Sequence, residues 1–161
     1  MMIKRIIGTD TSSQAVNTGL LVLRVGAGLS VFLKHGVEKL TGYSTMVQHF
    51  PDPIHIGSHA SLAYALVADG ICSLLVLVGL MTRPAAFLGL INLLTAFFLV
   101  HHAAFYRRDG GAELVLAYIT IYTALIITGP GRFSLDRWLS SRVVKKSATE
   151  VTENRTKVHA G

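Results

Sequence analysis

Six ionisable residues of this chain lie inside apolar runs or at their ends, where a charged side chain is costly. They are Arg24, His35, Lys39, Asp69, His101 and Glu113. Carboxylates and imidazoles can transfer protons, and cationic side chains can bind the polar groups of a ligand. The set could therefore bind a ligand and move protons, provided that the elements carrying these side chains bring them together.

Four apolar segments carry these residues, over 18–36, 61–81, 84–105 and 112–129. Each is close to the ~20 residues that a hydrocarbon core about 30 Å thick requires. Hydrophobic residues make up 51% of the 161 residues and charged residues only 15%, whereas a soluble domain has roughly 25% charged residues. We therefore predict an all-α fold, a transmembrane four-helix bundle.

The polar segments set the predicted domain boundaries. Residues 1–17 form an N-terminal segment, residues 18–139 form the membrane domain, and residues 140–161 form a polar tail that we expect to be disordered. At the end of the membrane domain, Ser134 is predicted to cap a short interfacial helix that places Trp138 in the aromatic belt.

Lysine and arginine are distributed unequally between the two sides of the predicted spans. With the N-terminus inside, the inner flanks hold Lys4, Arg5, Arg83, Arg132, Arg137, Arg142, Lys145 and Lys146. The outer side holds Arg107 and Arg108, with Lys39 near the end of the first helix. Because cytoplasmic flanks are rich in these residues, we predict that both termini are cytoplasmic. This bias also explains the net charge of +6 without nucleic-acid binding.

This topology brings ionisable residues of all four helices into the outer half of the membrane. His35 and Lys39 lie near the outer end of the first helix, His101 near that of the third, and Glu113 in the first turn of the fourth. Asp69 follows the predicted start of the second helix by roughly 12 Å. We therefore expect one shared polar cavity.

The same residues also have simpler explanations. Lys39 could be an interfacial anchor. Asp69 could form an ion pair, with Lys39 or with Arg24, that only holds helices together. The histidines of the long connection, His49, His55 and His59, have no spacing typical of metal ligands, so we predict no metal site.

Three stretches resemble the DoxX-like family of membrane proteins. "LRVGAGLSVFLKHGVEKLTG" is similar to its first helix, "ADGICSLLVLVGLMTRPAA" to its second, and "GAELVLAYITIYTALIITGPGRFSLD" to its last helix and the ending that follows. Asp69 stands where the family usually has Glu. The resemblance implies a four-helix protein of the inner (plasma) membrane, and one branch of the family includes the membrane subunit of a thiosulfate:quinone oxidoreductase.

The first functional hypothesis is a quinone-linked redox subunit, with a quinone as cofactor and a partner redox subunit as electron donor. The residues predicted to hydrogen-bond the headgroup or to move protons are Asp69, His35 and Glu113. The predicted cofactor-binding residues are Arg24, Lys39 and His101. The sequence has no GxGxxG, CxxC or haem-attachment motif, so no flavin or nicotinamide site is predicted.

The alternative is a non-enzymatic membrane module, either a small-molecule transporter or an assembly partner of a membrane complex. A haem held by His35 and His101 is a disfavoured variant of the first hypothesis, because ionic neighbours crowd that site. In either case the lipid bilayer is a partner, and the sequence leaves a homo-oligomer open.

Overall fold

The computed structural model describes residues 13–100 and 111–142. Helices make up its regular structure, and these two ranges contain no strand. In chain order the helices are α1 (Ser13–Thr41), α2 (Tyr43–Met46), α3 (Ser58–Val78), α4 (Thr82–Val100), α5 (Gly111–Thr128) and α6 (135–142). The all-α fold predicted from the apolar segments is confirmed.

The four long helices correspond one to one with the four predicted segments. Helices α1, α3 and α4 have 29, 21 and 19 residues and are long and apolar enough to cross a membrane. Helix α5 has 18 residues, about 27 Å at 1.5 Å per residue. Large apolar side chains such as Val22, Leu33 and Ile127 cover the outside of the bundle, as a lipid-facing surface requires.

Two boundaries differ from the predictions. Helix α1 begins at Ser13 and ends at Thr41, so it is longer than 18–36, because the polar turns at both ends continue the helix. Helix α3 begins at Ser58, so Asp69 lies about 16 Å from the start of its helix. It is therefore closer to the middle of α3 than predicted. The predicted N-terminal segment and polar tail fall largely outside the described residues.

Glycines allow α1 and α3 to pack closely along their length. A Cβ atom at Gly28 would lie 2.8 Å from the Ser73 carbonyl oxygen, and one at Gly36 would lie 2.7 Å from the Asp69 carbonyl oxygen. On the other side of the bundle, a Cβ atom at Gly89 of α4 would lie 2.5 Å from the Tyr122 ring of α5. Small residues let the helix backbones approach, as is usual in membrane bundles.

Each of the three longest helices contains a π-helical turn. These turns cover Phe32–Gly36 in α1, Val67–Cys72 in α3 and Ala96–Val100 in α4. A π-turn adds one residue to the helical repeat and is frequent at functional sites. The pattern of apolar residues does not predict these turns. Two of them contain the ionisable residues His35 and Asp69.

The end of the bundle near Arg24 is closed by the segment that follows α5. Arg24 is fully buried and donates a hydrogen bond from Nη2 to the Phe133 carbonyl oxygen. The Asp136 backbone N–H donates to the Gly79 carbonyl oxygen at 2.8 Å. Gly79 has φ of 73°, a left-handed conformation that favours glycine, and Arg24 lies against it.

The predicted cap of the last short helix is confirmed. Ser134 Oγ accepts a hydrogen bond from the Arg137 backbone N–H at 3.2 Å, which is the bond that an N-cap serine makes to the third helical residue. Helix α6 continues to residue 142, beyond the expected end at 139.

Candidate ligand site around Asp69

Three helices each contribute one polar side chain to a cluster around the Asp69 carboxylate. Lys39 Nζ of α1 lies 2.8 Å from Asp69 Oδ2, and Asn92 Nδ2 of α4 lies 2.9 Å from Asp69 Oδ1. The side chains of Lys39 and Asp69 are only 11% and 9% exposed. We call these three residues the Asp69 cluster.

The local structure of α3 explains how Asp69 reaches this position. The π-turn Val67–Cys72 contains Asp69, and a π-turn leaves carbonyl groups without their usual helical partners. Ser73 Oγ donates to the carbonyl oxygens of Asp69 and Gly70, the latter at 2.9 Å. The serine thereby provides a hydrogen-bond donor for two carbonyl groups of the irregular turn, and its own side chain is fully buried.

His35 lies beside the Asp69 cluster. It belongs to the π-turn of α1 and directly precedes Gly36, the residue packed against the Asp69 carbonyl. The imidazole is half-buried and interacts electrostatically with Lys39, Asp69, and Glu38. An imidazole, which can hold or release a proton, therefore stands next to a buried ion pair.

Tyr122 brings a hydroxyl group from the fourth long helix to the same region. Its side chain is 1% exposed, and within the described part of the chain its hydroxyl has no hydrogen-bond partner. The hydroxyl interacts electrostatically with Asp69 and Cys72. One turn earlier on α5, the Tyr118 hydroxyl is 2.6 Å from Ser30 Oγ of α1.

The comparisons with known proteins agree with this architecture. Residues 19–102 match the model of the DoxX family. The chain belongs to the DoxX family. An uncharacterized membrane protein of Mycobacterium tuberculosis is 32% identical to it over 143 residues, which cover 76% of this chain and 82% of the relative. An uncharacterized protein of Haemophilus influenzae is 30% identical over 114 residues, which cover 66% of this chain and 80% of the relative.

No solved structure gives a significant match. The DoxX match and the apolar helices identify the chain as a membrane protein of several spans. The match covers the three helices that build the Asp69 cluster, because Lys39, Asp69 and Asn92 all fall within it. Both relatives are uncharacterized, so the function of this DoxX protein has to be inferred from the side chains of the Asp69 cluster.

The structure brings together only some of the predicted site residues of this DoxX protein. It brings His35, Lys39 and Asp69 together. Arg24 lies 15 residues before Lys39 on α1, about 22 Å away along the helix, and is engaged with Phe133 instead. Its predicted role in cofactor binding stays a prediction.

Two other predicted residues are not joined to the cluster by any described contact. Glu113 has an exposed side chain in the first turn of α5. His101 lies outside the described residues. The proton-transfer role of Glu113 and the cofactor-binding role of His101 therefore also stay predictions.

Neither Asn92 nor Tyr122 was predicted from the sequence as a site residue. Asn92 had a usable signal, since it is an amide in the apolar run "LGLINLLTAFF", where an unpaired polar group is costly. Tyr122 had none, because tyrosines also occur in lipid-facing and interfacial positions. Within 13–100 and 111–142, no group of three or more His, Cys, Asp or Glu residues is close enough to hold a metal ion.

Proposed function

We propose that this protein is an inner-membrane subunit of a quinone-linked oxidoreductase and that the Asp69 cluster binds the quinone headgroup. The observation that carries the proposal is a largely buried ion pair between α1 and α3, with a hydrogen bond from Asn92 of α4 and with His35 beside it. Ionisable residues at such depth are costly, and their usual reason is function.

The donor groups of the cluster fit a quinone headgroup, which presents two carbonyl oxygens. An ammonium group has three N–H donors and a side-chain amide has two. Lys39 and Asn92 each use one on Asp69, so further donors are left for a ligand. The buried Tyr122 hydroxyl, without a partner among the described residues, adds a donor from α5.

A bound quinone would supply two-electron redox chemistry, because it becomes a quinol when it takes up two electrons and two protons. The electrons would come from a partner redox subunit. The protein's residues have separate tasks in this proposal. Lys39 compensates the charge of Asp69 and keeps the carboxylate in place. His35 holds or releases a proton at its imidazole, and Asn92 orients the carboxylate. The apolar helix surfaces exclude water from the site.

A second candidate function is a non-enzymatic module, a transporter or an assembly partner. One observation favours it: each carboxylate oxygen of Asp69 already has a donor within the bundle, from Lys39 and from Asn92. A clamp that only joins three helices would have the same bonds. His35 distinguishes the two functions, because a clamp does not need an imidazole.

The test uses His35→Gln, with His59→Gln as a matched control that makes the same change at an exposed histidine of α3. Protein purified from inner-membrane fractions is extracted with organic solvent to measure quinone, and its visible spectrum is recorded for haem. A short-chain quinone is then added and thermal unfolding is followed.

We expect the parent and His59→Gln to carry quinone and to be stabilised by it. His35→Gln should unfold at the parent temperature. It should bind quinone at least about tenfold more weakly, because losing one hydrogen bond worth roughly 1.4 kcal/mol lowers the affinity by that factor. If the parent neither carries nor responds to quinone, the redox proposal is wrong and the clamp is favoured.

A further inference from the structure

Helix α6 is held at a defined depth relative to the membrane-spanning helices. Asp136 accepts hydrogen bonds from the backbone N–H groups of Met81 and Thr82, at 2.7 and 3.0 Å, and from the Thr82 hydroxyl at 3.1 Å. Its own N–H donates to Gly79. These residues form the turn where α3 ends and α4 begins. Since spans end at the headgroup region of a bilayer, α6 lies at that level.

One face of α6 is apolar and exposed. Leu135, Trp138 and Leu139 are spaced i, i+3 and i+4, the pattern of a helical stripe, and their side chains are 41%, 52% and 43% exposed. Arg142 continues the same stripe, and its guanidinium lies 4.7 Å from the centroid of the Trp138 ring. An aromatic ring with a cation above it suits the boundary between acyl chains and headgroups.

Four exposed arginines lie on this end of the bundle, on α6 or close to it in sequence or beside the turn that holds Asp136. They are Arg83, Arg132, Arg137 and Arg142. The nearby carboxylate of Asp136 contributes one negative charge against these four positive charges, and its oxygens accept hydrogen bonds from the start of α4. Asp136 also interacts electrostatically with the buried Arg24. This end of the bundle therefore presents an excess of positive charge at headgroup depth.

We propose that α6 and these four arginines form a binding surface for anionic phospholipid headgroups. The apolar stripe enters the acyl boundary, and the guanidinium groups bind lipid phosphates, whose planar, bidentate contacts arginine favours. Charge complementarity and the hydrogen bonds that attach α6 to the turn between α3 and α4 argue for lipid as the occupant. The proposal is independent of quinone binding.

Trp138 is the single tryptophan of the chain, so its fluorescence reports on α6 alone. The full chain is reconstituted in bilayers that contain phosphatidylcholine and phosphatidylglycerol in fixed proportions. Bromine, a short-range quencher, is placed on the acyl chains of one lipid or of the other, at the same total amount. The total charge and composition of the two bilayers are then identical.

We expect brominated phosphatidylglycerol to quench Trp138 about twofold more than brominated phosphatidylcholine, and high salt to reduce the difference because it screens charge. The variant Arg132→Gln/Arg137→Gln should quench equally with both. Lys34→Gln removes an exposed charge near the end of α1 that is far from Arg24 and α6. This variant should keep the parent's lipid preference.

Two results on the parent protein would overturn the proposal, whatever the variants do. Equal quenching by both lipids would show that α6 is an interfacial helix without headgroup selectivity. No quenching by either lipid would show that α6 is covered by water or by another protein.

Discussion

Gly36 of α1 lies directly against the backbone of Asp69 in α3. A Cβ atom at Gly36 would be 2.7 Å from the Asp69 carbonyl oxygen and 3.0 Å from Gly70 Cα. Both neighbours are backbone atoms, which cannot turn aside as a side chain can. The close approach also brings Lys39, three residues later on α1, within 2.8 Å of the Asp69 carboxylate.

Gly36→Ala should therefore push α1 away from α3 and destabilise the protein by about 1–3 kcal/mol, as overpacked sites usually do. Gly26→Ala is the matched control, because a Cβ atom there meets nothing within 4 Å. Thermal unfolding in detergent should show a lower midpoint for Gly36→Ala only. Equal midpoints for the two variants would contradict the observed packing.

Removing either partner of the Lys39–Asp69 pair should also destabilise the protein. Asp69→Asn and Lys39→Met each leave one charge of a largely buried pair without its partner, which costs up to about 3–5 kcal/mol. The double variant should recover part of that loss. A double-mutant cycle on unfolding measures the coupling, and a coupling near zero would show that the pair does not stabilise the bundle.

The sequence was sufficient for the helices but only partly for the site. Long apolar runs predicted all four long helices because a bilayer requires that length and composition. An ion pair at Asp69 was one of two explanations for that residue, beside a functional role. The sequence could not decide whether Lys39 or Arg24 pairs with Asp69, because both lie on one face of α1. Only the position of α3 along α1 distinguishes the two.

The contacts that the sequence did not predict are long-range or irregular. Asp136 reaches the start of α4 across 54 residues, and no local pattern encodes such a bond. The π-turns in α1, α3 and α4 likewise had no spacing signal. Both features depend on how the helices pack against one another, and the spacing of apolar residues along the sequence does not describe that packing.

Asp136 serves as the cap of α4 from a distant part of the chain. Its carboxylate accepts the N–H groups of Met81 and Thr82, which a helix start otherwise leaves unsatisfied. Asp136→Ala should cost about 1–2 kcal/mol, the range for a lost N-cap. Ser140→Ala, a change on the same short helix, should have little effect in the same unfolding assay. Similar losses in both would indicate disruption of α6 itself.

Asp52 in the connection between α2 and α3 gives a pH-dependent prediction. Hydrogen bonds from Ser61 Oγ foremost, at 2.8 Å, and then from the Gly57 and Ile56 N–H groups hold the pKa of Asp52 below its usual range. The carboxylate should therefore stabilise the loop above the unfolded pKa of about 3.9, and lose this effect as the pH falls through the folded pKa.

The Gly57 amide resonance, followed by NMR during acidification, should report this transition. In Ser61→Ala the transition should move to higher pH, because the foremost hydrogen bond to the carboxylate is absent. Transitions at the same pH in both proteins would show that Ser61 does not hold the carboxylate in solution.

The orientation of the bundle is a prediction from the charge bias of the flanks. In a Cys72→Ala background, Ile54→Cys and Ser141→Cys place single thiols at exposed positions on opposite sides of the bundle. In intact cells, an impermeant maleimide should label position 54 and spare position 141. The reverse pattern would place both termini outside the cytoplasm.

The bond between Arg24 and the segment after α5 constrains how the protein is made. Arg24 belongs to the earliest of these helices to be synthesised, whereas its acceptor at Phe133 follows the last long helix. The guanidinium can gain this partner only after residue 133 has been synthesised, and therefore after all four long helices. A chain cut after Thr128 would contain every long helix and still lack that acceptor. We expect membrane quality-control proteases to degrade such a chain, so that completion of the final segment marks the protein as mature.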